Sequence, residues 1–361
     1  MNKKVMIGMS GGVDSSVAAA LLKEEGYDVT GVTMKIWPDQ SGKTQPEAGC
    51  CSFSAVEDAR RVAFKLDIPY YVLNFQDIFE SEVINYFVEE YLKGRTPNPC
   101  VACNRFIKFE AMLRKAVSMG IDYVATGHYA KIEKDQETGR YFLKKSVTRQ
   151  KDQTYALYNM TQYQLERTLM PIGRYDKATV RSIAKKLGFD VADKPDSQEI
   201  CFVTDNNYTE FITSRIEKPV ISGKFTDTRG NILGDHKGLI YYTVGQRKGL
   251  GLSFGKPMYV VKLDVENNTV VLGEAGEEYS KGLFASDLNW IAIETLQHPR
   301  QAWTKIRYSA KEAGAKITPY NEGRVRVDFE TPQRAVTPGQ SVVFYDGDTV
   351  LGGGKIEEQI N

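Results

Sequence analysis

The sequence has almost no net charge and no long apolar run. Its 47 Lys and Arg residues and 46 Asp and Glu residues leave a formal charge of +1 at pH 7. Without a global field, any nucleic acid must be bound through local basic patches. No stretch approaches the roughly 20 apolar residues of a membrane span. Asp14 interrupts the first apolar run, which excludes a secretory signal, and a strand beginning near Met1 leaves no room for a transit peptide, so we expect a cytoplasmic protein.

Cysteine is scarce, with five residues in 361. In a cytoplasmic chain, so few cysteines favour chemistry or metal binding over a disulfide framework. No second Cys/His pair follows at zinc-finger spacing. Two phosphate-binding signatures are also missing, because the chain has neither the Gly-Lys-Ser/Thr of a Walker loop nor the G-x-G-x-x-G of a dinucleotide fold. The remaining composition, 42% hydrophobic and 26% charged, is that of an ordinary globular protein.

The chain does have a glycine- and serine-rich turn between an apolar strand and a helix. The turn reads Gly8-Met-Ser-Gly-Gly-Val-Asp-Ser-Ser16, with Val5–Ile7 before it and Val17–Leu22 after it. This arrangement points backbone N–H groups and a helix N-terminus at one place, which suits an anion such as phosphate. Gly11 and Gly12 allow close approach of the ligand, and the serine hydroxyls add hydrogen bonds. The alternative is a turn that only packs the helix on a sheet.

Strands and helices alternate over the first 130 residues. Short connections between them predict an α/β domain with a parallel sheet and helices on both faces. In such a sheet a nucleotide lies at the carboxyl ends of the strands. The predicted strands are 3–9, 28–35, 69–75 and 122–126, and the predicted helices are 13–25, 58–66 (opened by a capping box at 54–57), 77–93 and 106–119.

From about residue 205, glycines become frequent and apolar runs shorten. Residues 259–263 and 269–272 predict a hairpin. Further short strands, with Asp346-Gly347 as a hairpin turn, predict a small β-barrel near the C-terminus. We therefore predict three domains: an α/β domain with the anion-binding turn over 1–205, a small β-rich domain over 206–280, and a β-barrel over 281–361.

A second chemistry-bearing stretch contains Cys100 and Cys103. Both follow the turn Asn98-Pro99 and lie near the start of a predicted helix, with Asn104 as a candidate N-cap. The helix dipole and neighbouring basic side chains would favour a thiolate. Small buried thiols are the alternative, but a polar turn suits reactive or metal-bound sulfur better. Cys201 alone fits a core thiol or a reactive one equally well.

Taken in chain order, these motifs resemble one family, the tRNA-specific 2-thiouridylases (MnmA/TrmU) of the ATP pyrophosphatase-loop (PP-loop) superfamily. The resemblance runs essentially from end to end. Besides residues 8–16, the matching segments are Thr96-Pro-Asn-Pro99, Cys103-Asn104, Ile107-Lys-Phe109, Ala125-Thr-Gly-His-Tyr-Ala130, Lys151-Asp-Gln-Thr-Tyr155, Asp196-Ser-Gln-Glu-Ile-Cys-Phe202, Tyr242-Thr-Val-Gly-Gln-Arg-Lys-Gly-Leu-Gly251, Pro338-Gly-Gln-Ser341 and Gly352-Gly-Gly-Lys-Ile356.

The resemblance implies ATP-dependent 2-thiolation of the wobble uridine of tRNA. Uridine O2 would be adenylated with loss of pyrophosphate, and Mg²⁺ would neutralise phosphate charge. Cys201 would carry the sulfur as a persulfide, and Cys103 would be the nucleophile that releases it onto C2, leaving a transient Cys103–Cys201 disulfide. Uridine O2 alone is a poor leaving group. After adenylation it would leave as part of AMP, which is a good one. The implied ATP-binding residues are Gly8, Met9, Ser10, Gly11, Gly12, Val13, Asp14, Ser15, Met34 and Gly127.

The chain departs from the family pattern at Cys100, where many members have Asp in an Asn-Pro-Asp turn. The resemblance places Asn98, Pro99 and Cys100 at the target base. A thiol is a weak hydrogen-bond partner, so a role for that Asp does not transfer to this chain. In an alternative reading, Cys100, Cys103 and Cys201 hold an iron–sulfur cluster, as proposed for related tRNA thiolation enzymes, because three thiolates suit soft ligation.

The resemblance also implies contact with the tRNA anticodon loop. Residues 144–151 hold four basic side chains and no acid, which suits phosphate contacts, although such runs are often solvated faces. A sulfur-relay protein or cysteine desulfurase would donate the sulfur, and we expect a monomer. The pair Cys50-Cys51 has no clear role, packing or a loop contact being favoured. The implied tRNA contacts are His128, Lys151, Asp152, Gln153, Arg307, Tyr308 and Gln340.

Overall fold

The first part of the chain contains a parallel β-sheet. The structure, a computed structural model, describes residues 2–36, 53–195, 200–203 and 207–361. The strands of this part are β1 (Lys4–Gly8), β2 (Asp28–Lys35), β3 (Tyr70–Asn74), β4 (Tyr123–Ala125), β5 (Ala130–Lys134), β6 (Tyr141–Lys145) and β7 (Thr168–Leu169). Five of them form the parallel sheet β3-β2-β1-β4-β7, and β5 and β6 pair as an antiparallel hairpin. The predicted parallel α/β architecture is confirmed.

The strand order has a switch point between β1 and β4. Strands β2 and β3 lie on one side of β1, whereas β4 and β7 lie on the other. The parallel register pairs Ile7 with Ala125, so the chain leaves both strands at the same edge of the sheet. Ligands of open α/β sheets bind at this kind of crevice. The sheet therefore brings together the turn after Gly8 and the segment after Ala125.

The helices agree with the sequence less evenly than the strands do. Helix α1 (Val13–Glu24) follows β1 as predicted, and Gly26, with a φ of +85°, lies just beyond its C-cap. Helix α2 (Phe53–Lys65) already includes residues 54–57, so the predicted capping box at its start was wrong. The other helices are α3 (Gln76–Phe79), α4 (Tyr86–Leu92), α5 (Pro99–Ala102), α6 (Met112–Ser118), α7 (Gln162–Glu166), α8 (Lys177–Lys186) and α9 (Tyr208–Thr213).

The helix that carries Cys103 begins earlier than the sequence predicts. It starts at Pro99 because the fixed φ of proline suits the first helical turn, and a π-helical stretch, Cys103–Ala111, joins α5 to α6. Asn104 therefore lies inside the helix, and its predicted role as N-cap was wrong. Its side-chain amide instead donates to the Ala156 carbonyl at 2.9 Å. Isolated π-helical stretches are frequent at functional sites.

The chain beyond residue 207 is mostly β. Strands β8 (Gly223–Asp227), β9 (Ile232–His236), β10 (Met258–Asp264) and β11 (Thr269–Glu274) form one sheet, in which β10 and β11 make the predicted hairpin. Six further strands form a closed barrel, because the first of them in sequence pairs with both the fourth and the last. They are β12 (Tyr279–Trp290), β13 (Arg300–Lys305), β14 (Ala313–Pro319), β15 (Val325–Arg334), β16 (Ser341–Asp346) and β17 (Thr349–Ile360). The predicted C-terminal barrel is confirmed.

Contacts group the chain into two units. The first contains residues 1–84, 99–206 and 348–350, and the second contains 85–98, 207–347 and 351–361. The three predicted domains, which divide the chain differently, stay a prediction. Across the residues described, no helix combines the length and apolarity needed to cross a membrane.

A buried ion pair holds α4 within the second unit. The side chain of Glu90 is 4% exposed, and Lys355 Nζ lies 2.5 Å from its carboxylate. Lys93 and Arg95 approach the same carboxylate at 3.5 and 4.0 Å. Because removing one partner of a buried pair leaves a charge without compensation, this pair matters more for stability than a surface pair does.

We predict that Lys355→Met lowers the free energy of unfolding by about 2–3 kcal/mol, somewhat less than for an isolated buried pair because two further cations remain. The double variant Glu90→Gln/Lys355→Met should regain part of that loss. Urea unfolding of both single variants and the double variant measures the coupling. Lys262→Met is the control, because its ammonium is 64% exposed and lies 4.0 Å from Asp264. A double variant as unstable as the sum of the singles would contradict the coupling.

Candidate nucleotide and sulfur-transfer site

The turn after β1 presents an open helix N-terminus. Gly12 is the N-cap of α1, and no side chain caps it. The first N–H groups of α1 and the positive end of its dipole are therefore available to an anion. Gly11 has a φ of +66°, and a Cβ there would lie 2.2 Å from the Ala55 carbonyl oxygen. Only glycine satisfies both the backbone conformation and the close packing on α2.

The serines divide into those that shape this turn and one that faces outwards. Ser15 and Ser16 are buried, and each hydroxyl donates to the Gly12 carbonyl, at 3.2 and 2.9 Å. The Ser10 N–H donates to Ser15 Oγ at 3.2 Å. The side chain of Ser10 is exposed. Its hydroxyl also lies 3.4 Å from Ser15 Oγ, so the turn is held by its own hydrogen bonds, and the Ser10 hydroxyl is the one at its surface.

Asp14, the acid within the turn, is bound by two side chains. Lys177 Nζ donates to both carboxylate oxygens at 2.8 Å, and the Tyr129 hydroxyl donates to Oδ1 at 2.7 Å. Lys177 is the first residue of α8, whose N-cap Asp176 accepts from the Thr179 N–H at 2.7 Å. The cap fixes the start of α8 and thereby the position of the ammonium. Sequence reasoning missed Lys177, because 163 residues separate it from Asp14.

Gly127 lies directly against the start of α1. A Cβ at this position would come within 2.6 Å of the Ser15 amide nitrogen and 2.7 Å of the Asp14 carbonyl carbon. Glycine is therefore required for the segment after β4 to reach the phosphate turn. Met34 lies near the carboxyl end of β2, pairs with Leu73 of β3 and is half-buried. The structure thus places the predicted residues 8–15, Met34 and Gly127 at one edge of the sheet.

A second lysine, which sequence reasoning also missed, contacts the turn. Lys194 Nζ donates to the Gly11 carbonyl at 3.1 Å and to Asp58 Oδ2 at 2.7 Å. No local signal identifies it, because 183 residues separate Lys194 from Gly11. The surroundings of the turn thus pair two lysines with two carboxylates. Arg61 Nη1 also lies 3.8 Å from Asp58 Oδ1, so three cations face these two carboxylates.

Cys100, Cys103 and Cys201 are present as thiols. Cys100, in α5, is exposed, whereas Cys103 and Cys201 are partly buried. Phe202, next to Cys201, is buried and packs edge-on against Phe79 at 5.8 Å between ring centroids. Its packing fixes one side of Cys201. Cys50 and Cys51 lie outside the described residues.

The three thiols do not form the donor set of an iron–sulfur cluster. Among the residues that the structure describes, no group of three or more His, Cys, Asp or Glu side chains is arranged to hold a metal ion. Since Cys100, Cys103 and Cys201 are all described, the cluster alternative has no geometric support.

His128 follows β4 and is nearly inaccessible. Its side chain is 8% exposed, and its Nδ1 is 2.7 Å from Thr126 Oγ1. Burial, assisted by the positive charge of Lys108, lowers the pKa of His128 well below its ordinary value. The imidazole is therefore neutral at physiological pH. Its predicted tRNA contact stays a prediction, and any such contact would use a neutral ring.

The segment 151–153 is tied into the interior next to the nucleotide turn. Asp152 is buried and accepts from the Ser146 N–H at 3.1 Å and the Thr154 hydroxyl at 2.5 Å. Gln153 Oε1 accepts from the Tyr129 N–H at 2.8 Å. Because Tyr129 in turn donates to Asp14, Gln153 supports the phosphate turn indirectly. Lys151 is partly exposed, and contact of 151–153 with tRNA stays a prediction.

The remaining predicted tRNA residues lie in the second unit. Arg307 Nη1 donates to the carbonyls of Arg334 and Ala335 at 3.0 and 3.2 Å. Tyr308 is 45% exposed. Gln340 Nε2 donates to the Thr96 carbonyl at 2.8 Å, so it supports the chain just before Asn98.

Comparison with known proteins gives consistent results along the whole chain. Residues 3–205 match the family model described as "tRNA methyl transferase HUP domain", residues 209–274 the "PRC-barrel domain" of the same set, and residues 280–356 the "Aminomethyltransferase beta-barrel domain". The tRNA-specific 2-thiouridylase MnmA of Acetivibrio thermocellus is 68% identical over 98% of this chain and 99% of its own length. Its counterpart in Clostridioides difficile is 61% identical over 100% of this chain and 99% of its own length.

A solved structure described as a 4-thiouridine synthetase–RNA complex with bound ATP is a distant match. It has a TM-score of 0.35 and 18% identity, covering 59% of this chain and 50% of that chain, and no conclusion about this chain follows from it. The full-length matches at high identity are decisive. The chain belongs to the tRNA-specific 2-thiouridylase family.

Proposed function

We propose that this chain is a tRNA-uridine 2-sulfurtransferase that uses ATP to replace O2 of the wobble uridine by sulfur. The observation that carries the proposal is a PP-loop with an open helix N-terminus, at the switch point of a sheet whose unit also contains Cys103 and Cys201. Membership of the 2-thiouridylase family supports the same activity. A thiolase that uses an iron–sulfur cluster is not favoured, because the described thiols do not form a metal-binding group.

The first step is activation of the base. Uridine O2 attacks the α-phosphorus of ATP, an O–P bond forms, and pyrophosphate leaves. The turn at 8–15 would bind the phosphates through the N–H groups of α1 and the Ser10 hydroxyl. Mg²⁺ would neutralise phosphate charge. The carboxylates near the turn that could hold it are Asp14 and Asp58, each of which is bound by a lysine in this structure. Met34 and Gly127 would contact the nucleoside.

The second step transfers sulfur. Cys201 would carry the outer sulfur of a persulfide, loaded by a sulfur-relay protein or a cysteine desulfurase. The Cys103 thiolate attacks Cys201 Sγ, which releases hydrosulfide, and the hydrosulfide attacks C2 and displaces AMP. The two cysteines are then joined by a disulfide, and a dithiol reductant supplies the two electrons that reopen it. Asn98, Pro99 and Cys100 would lie beside the target base.

The tRNA would be bound through its anticodon loop. Lys151 and Tyr308 have the exposure that phosphate and base contacts require. Asp152, Gln153, Arg307 and Gln340 have internal hydrogen bonds, so we assign them to holding the contact segments as well as to touching tRNA. We propose that the chain acts as a monomer with three domains. Among the described residues, each proposed domain contains a hydrophobic cluster of its own, which supports this division.

We predict that Cys103→Ser and Cys201→Ser each abolish 2-thiouridine formation while tRNA-dependent ATP–pyrophosphate exchange continues. A serine hydroxyl neither carries persulfide sulfur nor attacks it, whereas adenylation needs neither thiol. Mass spectrometry of nucleosides from a strain lacking the native activity measures thiolation, and labelled pyrophosphate measures exchange with the purified variants. Full thiolation by either variant would eliminate the two-cysteine relay.

We predict that Gly127→Ala weakens binding of a non-hydrolysable ATP analogue by about 10-fold or more, because the added Cβ must displace the backbone at Ser15. Isothermal titration calorimetry measures the affinity. Gly139→Ala is the control for a glycine substitution without a steric clash, since nothing lies within 4 Å of an added Cβ there. Gly139 has a positive φ, which Gly127 lacks, so this control shows the effect of backbone strain alone. Equal affinities for the wild type and Gly127→Ala would remove Gly127 from the nucleotide site.

A further inference from the structure

Lys194 places an ammonium group at the phosphate turn from a distant part of the chain. Its two acceptors are the Gly11 carbonyl at 3.1 Å and Asp58 Oδ2 at 2.7 Å. Gly11 is the residue of the turn with positive φ. The ammonium therefore lies beside the backbone that would surround the phosphates.

The main chain at Lys194 is held in place independently of its side chain. Arg181, in α8, donates to the Ala192 carbonyl at 2.9 Å and to the Lys194 carbonyl at 3.1 Å. Ala192 is 5% exposed and belongs to the core of this unit. A fixed backbone leaves the lysine side chain as the part that adjusts to a ligand, which limits the entropy lost on binding.

The two lysines at the turn differ in how completely they are occupied. Lys177 donates to both oxygens of Asp14 and is 16% exposed. Lys194 is 37% exposed, and only one of its bonds goes to a charged acceptor. An ammonium has three N–H donors, and the acceptors found for Lys194 among the described residues use two. Lys194 therefore has a donor to offer to a further anion.

From these contacts we infer that Lys194 binds the β- and γ-phosphates of ATP and the pyrophosphate product, and that Asp58 competes with those phosphates for its ammonium. The inference rests on the proposed use of ATP and adds a ligand-binding residue and its competitor. The carboxylate satisfies the lysine charge without nucleotide, and a polyphosphate, which carries more negative charge, draws the ammonium towards itself. Loss of Lys194 should then weaken polyphosphate binding, whereas loss of the Asp58 charge should strengthen it.

The test is calorimetric titration of the full chain with pyrophosphate and, separately, with AMP, in buffer containing EDTA so that no metal bridges Asp58 to the ligand. We expect Lys194→Met to bind pyrophosphate about 10-fold more weakly, the effect of one charge-assisted hydrogen bond. Asp58→Asn should bind pyrophosphate more tightly than the wild type. AMP lacks the β- and γ-phosphates, so its dissociation constant for each variant should lie within about twofold of the wild-type value.

Lys185→Met is the control, because Lys185 is 58% exposed and its ion pair is with Asp193 rather than with a carboxylate that contacts Lys194. If the Lys194–Asp58 pair were merely structural, both Lys194→Met and Asp58→Asn would bind pyrophosphate more weakly, and that result would overturn the inference. Unchanged pyrophosphate affinity in Lys194→Met would overturn it as well. Lys194→Arg, which keeps the charge, should retain most of the affinity and covers the case in which Lys194→Met fails to fold. Failure of the wild type to bind either ligand, both in EDTA and after Mg²⁺ is added back, would instead contradict the proposed function itself.

Discussion

The proposed nucleotide site depends on the contact between Gly127 and the first turn of α1. Two parallel strands, β1 and β4, end at the same edge of the sheet, and the chain that leaves β4 passes within van der Waals distance of the backbone at Asp14 and Ser15. A side chain at residue 127 would separate the two segments. Because the open N–H groups of α1 lie at that junction, the same close approach that packs the sheet edge also builds one wall of the anion site.

Charge at this site is balanced by pairs that reach across the sequence. Asp14 is paired with Lys177 and Asp58 with Lys194, so the turn contains both signs of charge in a fixed arrangement. Paired groups avoid the penalty of leaving a partly buried charge alone. In the proposed function, a polyphosphate entering the turn would meet lysines that are already positioned, and the carboxylates would set how strongly those lysines are held.

The sequence predicts the elements around the turn well, because their signals are local. Strand β2 has the predicted bounds, 28–35, and α1 begins at the predicted residue 13. The errors arise where the same local sequence pattern occurs in more than one structural context. Ser54 to Glu57 has the spacing of a capping box but lies inside α2, and Asn104, a favoured cap residue, instead bonds Ala156 across 52 residues. Lys177 and Lys194 carry no local signal at all, since only the folded chain brings them to the turn.

Side chains in the family motifs do more than contact ligands. Gln153 binds the backbone of Tyr129, and the Tyr129 hydroxyl binds Asp14, so a residue matched to tRNA contact is joined through one side chain to the ATP turn. Hydrogen-bond networks of this kind fix several groups together, since each member restricts the next. Gln340 similarly binds the Thr96 carbonyl, in the segment that leads to Asn98. A motif match therefore identifies which residues matter to a site, whereas only their contacts reveal whether they bind the substrate or hold the residues that do.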